Sequence, residues 1–367
     1  MDRGQRWGLV LCAVAYFAMR HRKSEALPAE ASAAAQCAAL RGFSGRIVVI
    51  GDVHGDVQAL KDVLSRANVA DGCDWNAAPA ILVQLGDVVD RGPDSNGANA
   101  CLRELQASAS LHESRVVRLV GNHELMWAEG NYRYAHKTAE PRSVIAKAVA
   151  EWRDEIERGD VLGAFAVGPF LFTHSGFRPQ MLSTIEPDPI ESAAEGGAFA
   201  AADALAAYVC KALLYAVRGG KAGRFQGAVF SAGPDRGGSG VGGPFWTDFK
   251  VLEAASAAAL PEGVMQVVGH TAARCEAWRP GSASRGPESG ADTESLRGAD
   301  RTLCCRCEPI RHRADLKAIV ADAGLSVAYA SNRAFVEIVD HKILAHTRGY
   351  QGVWRTKEIS AVCDAAV

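Results

Sequence analysis

Asp52 and His54 stand two residues apart in Gly51-Asp52-Val53-His54-Gly55, directly behind the β-branched run Ile47-Val48-Val49-Ile50. On extended chain, residues two apart point the same way, so a carboxylate and an imidazole leave one strand end together, the beginning of a metal site. The pattern recurs. Residues 81–85 run into GDVVDRG (Gly86 to Gly92), 116–120 into GNHE (Gly121 to Glu124), 170–172 into Thr173-His174-Ser175-Gly176, and 265–268 into Gly269-His270-Thr271. Each apolar run ends in a carboxylate, amide or imidazole, four of them after a glycine that lets the backbone turn sharply.

Asp52, His54, Asp87, Asn122, His174 and His270 are too many ligands for one tetrahedral zinc. They suit two divalent ions sharing a carboxylate, and Asp87, at the middle strand end, is the natural bridge. Such a pair binds the attacking and leaving oxygens of an in-line displacement at phosphorus and acidifies the water between them. The chemistry this predicts is hydrolysis of a phosphate ester by direct attack of hydroxide. Arg91, four residues after Asp87, can clamp phosphate oxygens with two prongs. His123, next to Asn122, is placed to protonate the leaving oxygen, and Asp90 can fix its tautomer. A serine alkoxide needs that proton badly; a tyrosine phenolate, with an ordinary pKa of about 10, needs it less.

Ligands of α/β sheets sit beyond the carboxyl ends of the strands, so five such ends are expected to face one cleft. Helical spacing of apolar residues predicts helices over 57–67, 96–106, 141–157 and 193–217, and helices between buried strands imply parallel pairing. The glycine-dense stretch 219–243 reads as a long loop, and long loops in compact domains are usually functional or disordered. The Ser-, Gly-, Pro- and charge-rich stretch 280–301 reads as a solvated insertion. Residues 325–329 and 334–339 look like closing strands, and the segments after residue 160 suggest a second sheet packed on the first within one domain.

With 367 residues, 48% apolar and 22% charged, the chain can bury a sizeable core. A formal net charge of −2 argues against a nucleic-acid binder. Residues 1–36 differ from the rest: Arg3 and Arg6 precede an apolar run of about a dozen residues, followed by Arg20-His21-Arg22-Lys23 and an Ala-rich stretch. This describes a signal peptide and a secretory or endomembrane address, with a signal anchor or an organelle transit peptide as the competing readings. No later segment reads as long and apolar enough to span a bilayer. The ten cysteines are too thin for a disulfide scaffold; Cys304, Cys305 and Cys307 form the one cluster.

GDVHG, GDVVDRG, GNHE, a His-Ser-Gly after a strand and a late Gly-His-Thr resemble the signature of the phosphoprotein phosphatase family of metallophosphoesterases, from about Gly45 to Val339. Val267-Val268-Gly269-His270-Thr271, Pro244-Phe245-Trp246-Thr247 and Asp322-Ala323-Gly324-Leu325-Ser326 resemble its Shewanella-like, bacterial-type branch. The resemblance implies a calcineurin-like α/β fold, two packed mixed sheets flanked by helices in an α/β/β/α sandwich, over 37–358 with a tail at 359–367. It also implies two metals, manganese, iron or zinc: Asp52, His54 and Asp87 would hold one, and Asp87, Asn122, His174 and His270 the other. His123 with Asp90 would be the acid pair, and Arg91 and Asn122 would contact phosphate.

There are three departures from that pattern. His174-Ser175-Gly176 stands where His-Gly-Gly is common, the ligand surviving. Asp248, a carboxylate expected to repel phosphate, follows Trp246-Thr247 where the branch often has a second phosphate-binding arginine; Arg224 or Arg236 are the candidates to replace it. The insertion at 280–301 has no counterpart. The leading expectation is a phosphoprotein phosphatase acting on phosphotyrosine or on phosphoserine and phosphothreonine. The alternatives are a diadenosine tetraphosphate-type hydrolase and a catalytically weak or dead relative that binds phosphorylated partners.

Overall fold

The computed structural model describes residues 37, 43, 45–135, 140–182, 195–219, 225–254, 260–272, 310–312, 318–326, 332–340, 342–348 and 353–361. The expectations for residues 1–36 and 280–301, for Cys304, Cys305 and Cys307, and for Arg224 lie outside them.

The strands are β1 (Arg46–Ile50), β2 (Ala70–Asp71), β3 (Asp74–Trp75), β4 (Ala80–Gln84), β5 (Arg115–Leu119), β6 (Val161–Leu162), β7 (Ala164–Val167), β8 (Phe170–Thr173), β9 (Met265–Val268), β10 (Arg311–His312), β11 (Ala318–Val320), β12 (Ala334–Val339), β13 (Lys342–Arg348) and β14 (Trp354–Ala361). They form a seven-stranded sheet, ordered β14-β13-β12-β1-β4-β5-β6, a five-stranded sheet, ordered β10-β11-β9-β8-β7, and the small β2-β3 hairpin. β1, β4 and β5 are parallel neighbours with β4 in the middle. β8 and β9 are parallel neighbours in the second sheet. All five motif-bearing strands therefore release their chemistry at carboxyl ends, three from one sheet and two from the other.

The helices are α1 (Val57–Arg66), α2 (Ser95–Ser110), α3 (Asn122–Ala128), α4 (Arg142–Arg158), α5 (Gly197–Arg218) and α6 (Phe249–Ala254). Asp56 and Asp94 cap α1 and α2 by accepting from Ala59 N and Gly97 N, and Gly159, with φ 80°, ends α4. One apolar core, to which β4, β5, β7, β8, β9 and α5 contribute, joins the two sheets. A second lies between the first sheet and α1 and α2. Mixed sheets with flanking helices are the architecture of the calcineurin-like phosphoesterase fold, as expected.

Several expectations need correction. α5, 22 residues long, is apolar enough to cross a bilayer, contrary to the reading that no such segment follows residue 36. Its inner face is buried on β7 and β8, which accounts for that composition. Residues 359–361, expected in a tail, belong to β14. Leu325 and Ser326, expected to open a strand, are irregular; the strand here is β11, seven residues before them in the chain at its start. The cysteines do more than their scatter suggested: Cys37 is bonded to Cys210 on α5, and Cys73, in the β2-β3 turn, to Cys101 on α2.

Candidate dimetal active site

His54, Asp87, Asp90, Arg91 and His270 all have left-handed backbone, with φ of 45°, 53°, 71°, 66° and 67°. Side chains seldom adopt this conformation without compensation, and such positions gather where the chain is bent to aim functional groups. The turns are packed too tightly for larger residues at two glycines. A Cβ on Gly121 would stand 2.1 Å from Asp87 Oδ1, and one on Gly269 would stand 2.5 Å from Asp52 Oδ1.

The turns bring the six expected ligands together. His174 Nδ1–H donates to Leu85 O at 2.8 Å, which leaves the Nε2 lone pair facing Asn122 Oδ1 at 2.9 Å, His270 Nδ1 at 3.0 Å and Asp87 Oδ1 at 3.5 Å. Two lone pairs, on Asn122 Oδ1 and His174 Nε2, thus meet without a proton between them, which a cation would reconcile. His54 repeats the device: Nδ1–H donates to Val89 O at 2.8 Å, and Nε2 faces Asp52 Oδ2 and Asp87 Oδ2, each at 3.8 Å. Asp87 belongs to both groups, one oxygen toward each.

Charge follows the same logic. Burial first, then the neighbouring His123, holds the His54 imidazole down at about 3. Burial also lowers His174 and His270, so all three imidazoles are neutral, the form that binds metal. Burial opposes ionisation of Asp87, but in acid, where the surrounding imidazoles gain protons, the charges of His174, His123, His54 and His270 more than offset it and hold its carboxyl below the usual range. Asp52 is raised by burial and by the carboxylates of Asp322 and Asp87, a crowding of buried negative charge that a cation would relieve. The donor set fits two candidate metal sites consistent with a dinuclear centre. His123 also lies within ligand distance of His54 and Asp87, and Asp52 Oδ2 stands 3.8 Å from His54 Nε2 on the same cluster.

His123 Nδ1 and Asp90 Oδ2 are 2.5 Å apart, and Asp90 Oδ1 accepts from Trp127 Nε1 at 2.5 Å. The pairing fixes the ring with Nε2 toward the cluster, 3.9 Å from Asp87 Oδ2 and 3.3 Å from Arg91 Nη2. Burial pulls the imidazole down, but Asp87 and Asp90 outweigh it, so His123 keeps its proton to higher pH than a free histidine. Arg91 thereby stands beside the cluster.

Of the replacements for the second arginine, Arg236 is at the site: its Nη2 donates to Thr271 Oγ1 at 3.0 Å, next to His270, and it stands 2.9 Å from Asp248 Oδ2. Its charge helps to lower both His174 and His270. Asp248, expected to repel phosphate, is instead paired with this arginine. Arg178 and Asp235 brace the loop, Asp235 Oδ2 accepting Asp248 N at 3.1 Å.

One participant went unassigned in the sequence. Glu124 is buried, and its two oxygens accept N–H groups from Gly121 (2.7 Å), Asp87 (2.9 Å), Val88 (2.8 Å) and Val89 (3.2 Å). It therefore pins the Asp87 turn to the start of α3. Burial and the Asp87 charge push its carboxyl up to about 7, against the pull of the Gly121 and Asp87 amides.

A family model described as calcineurin-like phosphoesterase matches residues 45–195. Over that stretch the chain is similar to calcineurin-like phosphoesterases, and over shorter stretches to Shewanella-like protein phosphatases. An uncharacterized protein of Schizosaccharomyces pombe is 42% identical over 122 residues, 32% of this chain and 37% of that protein. Shewanella-like protein phosphatase 2 of Arabidopsis thaliana is 36% identical over 93 residues, 25% of this chain and 24% of that enzyme. The matched part thus spans well under half the length of these curated relatives. Among solved structures, a cold-active protein-tyrosine phosphatase of a psychrophile Shewanella species superposes with a TM-score of 0.52 at 18% identity, covering 86% of this chain and 81% of that one. That likeness concerns the fold alone.

Proposed function

We propose that this metallophosphoesterase is a phosphoprotein phosphatase, hydrolysing phosphomonoesters of phosphotyrosine or of phosphoserine and phosphothreonine. The observation that carries the reading is Asp87, whose two oxygens face two separate ligand groups, with the His123–Asp90 pair aimed at the same carboxylate. Asp52, His54 and Asp87 would hold one ion, and Asp87, Asn122, His174 and His270 the other. When bound, such a pair of manganese, iron or zinc ions supplies Lewis acidity to the phosphoryl oxygens and lowers the pKa of water.

The rest is the work of this chain's residues. Arg91 and Arg236 bind the non-bridging oxygens of the phosphate, Arg91 from the Asp87 turn and Arg236 from the loop across it. His123 delivers the Nε2 proton to the departing oxygen while Asp90 keeps Nδ1 protonated and stabilises the imidazolium. The intact acid pair and the engagement of Asp248 by Arg236 favour an active enzyme over a phospho-binding relative.

We also infer an oxidising, secretory or endomembrane address. Two disulfides support it, because such bonds persist outside the reducing cytosol.

The test is hydrolysis of phosphotyrosine and phosphoserine peptides, beside a dinucleoside tetraphosphate, by protein stripped of metal and reloaded. Metal-dependent phosphate release from peptides supports the proposal. Turnover confined to the dinucleotide, or full activity in stripped protein and in Asp87→Asn, overturns it.

A further inference from the structure

The rim of the site carries an arrangement that hydrolysis of the phosphoryl group itself does not require. Tyr134 lies in the loop that follows α3, and its carbonyl accepts Arg91 N at 3.0 Å, which ties that loop to the Asp87 turn. Its ring centroid is 5.2 Å from that of His123. Two guanidinium carbons sit over the same ring, Arg91 at 4.7 Å and Arg133 at 4.6 Å. Arg91 reaches inward to His123 Nε2. Arg133 is exposed, and among the described residues no ion pair holds it.

Like charges rarely gather around one side chain unless something is gained. The electron-rich ring face offsets part of their repulsion, and the result is two planar cations joined by an aromatic spacer. One points to the reacting phosphate, and the other faces the solvent from which a substrate arrives. The carbons are no farther apart than the sum of their two distances to the ring centre, a span that a peptide covers within two or three residues at 3.8 Å per Cα step.

We propose that Arg133 is a second anion-binding residue, so that the preferred substrates are phosphoproteins carrying a carboxylate within two residues of the phosphorylated side chain. Tyr134 is the positioning residue that sets the two guanidiniums side by side. The inference rests on the phosphatase reading for its substrate, but its geometry belongs to the rim and not to the ligand cluster. An exposed ion pair is worth at most about a fivefold preference, and it is screened by salt.

The experiment compares two phosphopeptides that differ only at the two positions after the phosphorylated residue, aspartates in one and asparagines in the other, on the metal-loaded full chain. The expected result is a kcat/KM about fivefold higher for the aspartate peptide in 50 mM salt, carried by KM, and reduced at high salt. Arg133→Gln should bring the ratio close to one, and Arg133→Glu should invert it. Tyr134→Ala should lose the preference and also lower kcat through Arg91, whereas Tyr134→Phe should keep both. An equal kcat/KM for the two peptides in the wild type, or an undiminished ratio in Arg133→Gln, overturns the proposal. Binding of the same peptides, followed by fluorescence anisotropy, separates this from the phosphatase reading. If neither peptide is hydrolysed, the phosphatase reading fails, and equal affinities in wild type and Arg133→Gln then overturn the second anion site as well.

Discussion

Arg236 donates through Nη2 to the carboxylate of Asp248 at 2.9 Å, beside the Thr271 hydroxyl that follows His270. A negative charge that would by itself oppose phosphate binding thus holds a positive one in place. Two accounts of Asp248 now predict opposite signs. If it repels substrate, Asp248→Asn should lower KM. If it positions Arg236, the same change should raise KM several-fold, and Arg236→Ala should raise it roughly 10- to 100-fold, the loss of about 1.5 to 3 kcal/mol expected for a charge-assisted hydrogen bond. Steady-state kinetics on one phosphopeptide decide the sign.

The 2.5 Å contact of His123 with Asp90 makes a prediction about leaving groups. His123→Ala should cost a phosphoserine peptide about 100-fold or more in kcat, the usual worth of a general acid, and a nitrophenyl phosphate much less, because that phenolate leaves without help. Asp90→Asn should follow the same order with smaller losses. Metal content measured in each variant guards against a trivial cause. Equal losses on the two substrates would remove His123 from the acid role.

Glu124 makes an isosteric change expensive. Each carboxylate oxygen accepts two backbone N–H groups, so the amide nitrogen of Glu124→Gln must face two donors whichever way it turns. Leaving those donors unsatisfied in a buried turn should cost about 2 kcal/mol or more. Denaturant unfolding of the metal-free protein reads it, without reference to activity. A variant as stable as the wild type would show that the turn closes without this carboxylate.

The strand ends were legible because their chemistry is local: a β-branched run, a glycine and a ligand occupy adjacent positions, and the parallel sheet aligns them. Asp87 could be singled out from its place in the order of the motifs, and β4 lies between β1 and β5. What was not legible depends on a partner distant in the chain. Asp248 looks hostile until Arg236 is seen against it. Cys37 and Cys210 are 173 residues apart, and their spacing carries no signal. Glu124 sits at the third position of α3, where a glutamate reads as an ordinary helix cap; only the turn folded over it shows the four amides.

Stability in acid should depend on a carboxylate remote from the ligand cluster. Glu337 lies on β12 opposite Val48 of β1, accepts from His346 Nε2 at 2.8 Å and pairs with Arg46, so it ties β13 and β12 to the strand that leads into the Asp52 turn. The hydrogen bond from His346 is the largest cause of its depressed carboxyl; burial opposes it, Arg46 adds to it, and the result is about 2 against an ordinary 4.5. A depressed carboxyl stabilises the fold above its unfolded value, so this contribution is complete above about pH 4.5 and fades as pH falls towards 2. The group is partly open to water, so we expect roughly 1 kcal/mol after screening. Glu337→Gln should therefore be less stable than the wild type at pH 7, with the gap closing between pH 4.5 and pH 2. A gap that stays constant across that window would mean that packing at this position, and not its charge, joins β12 to β1.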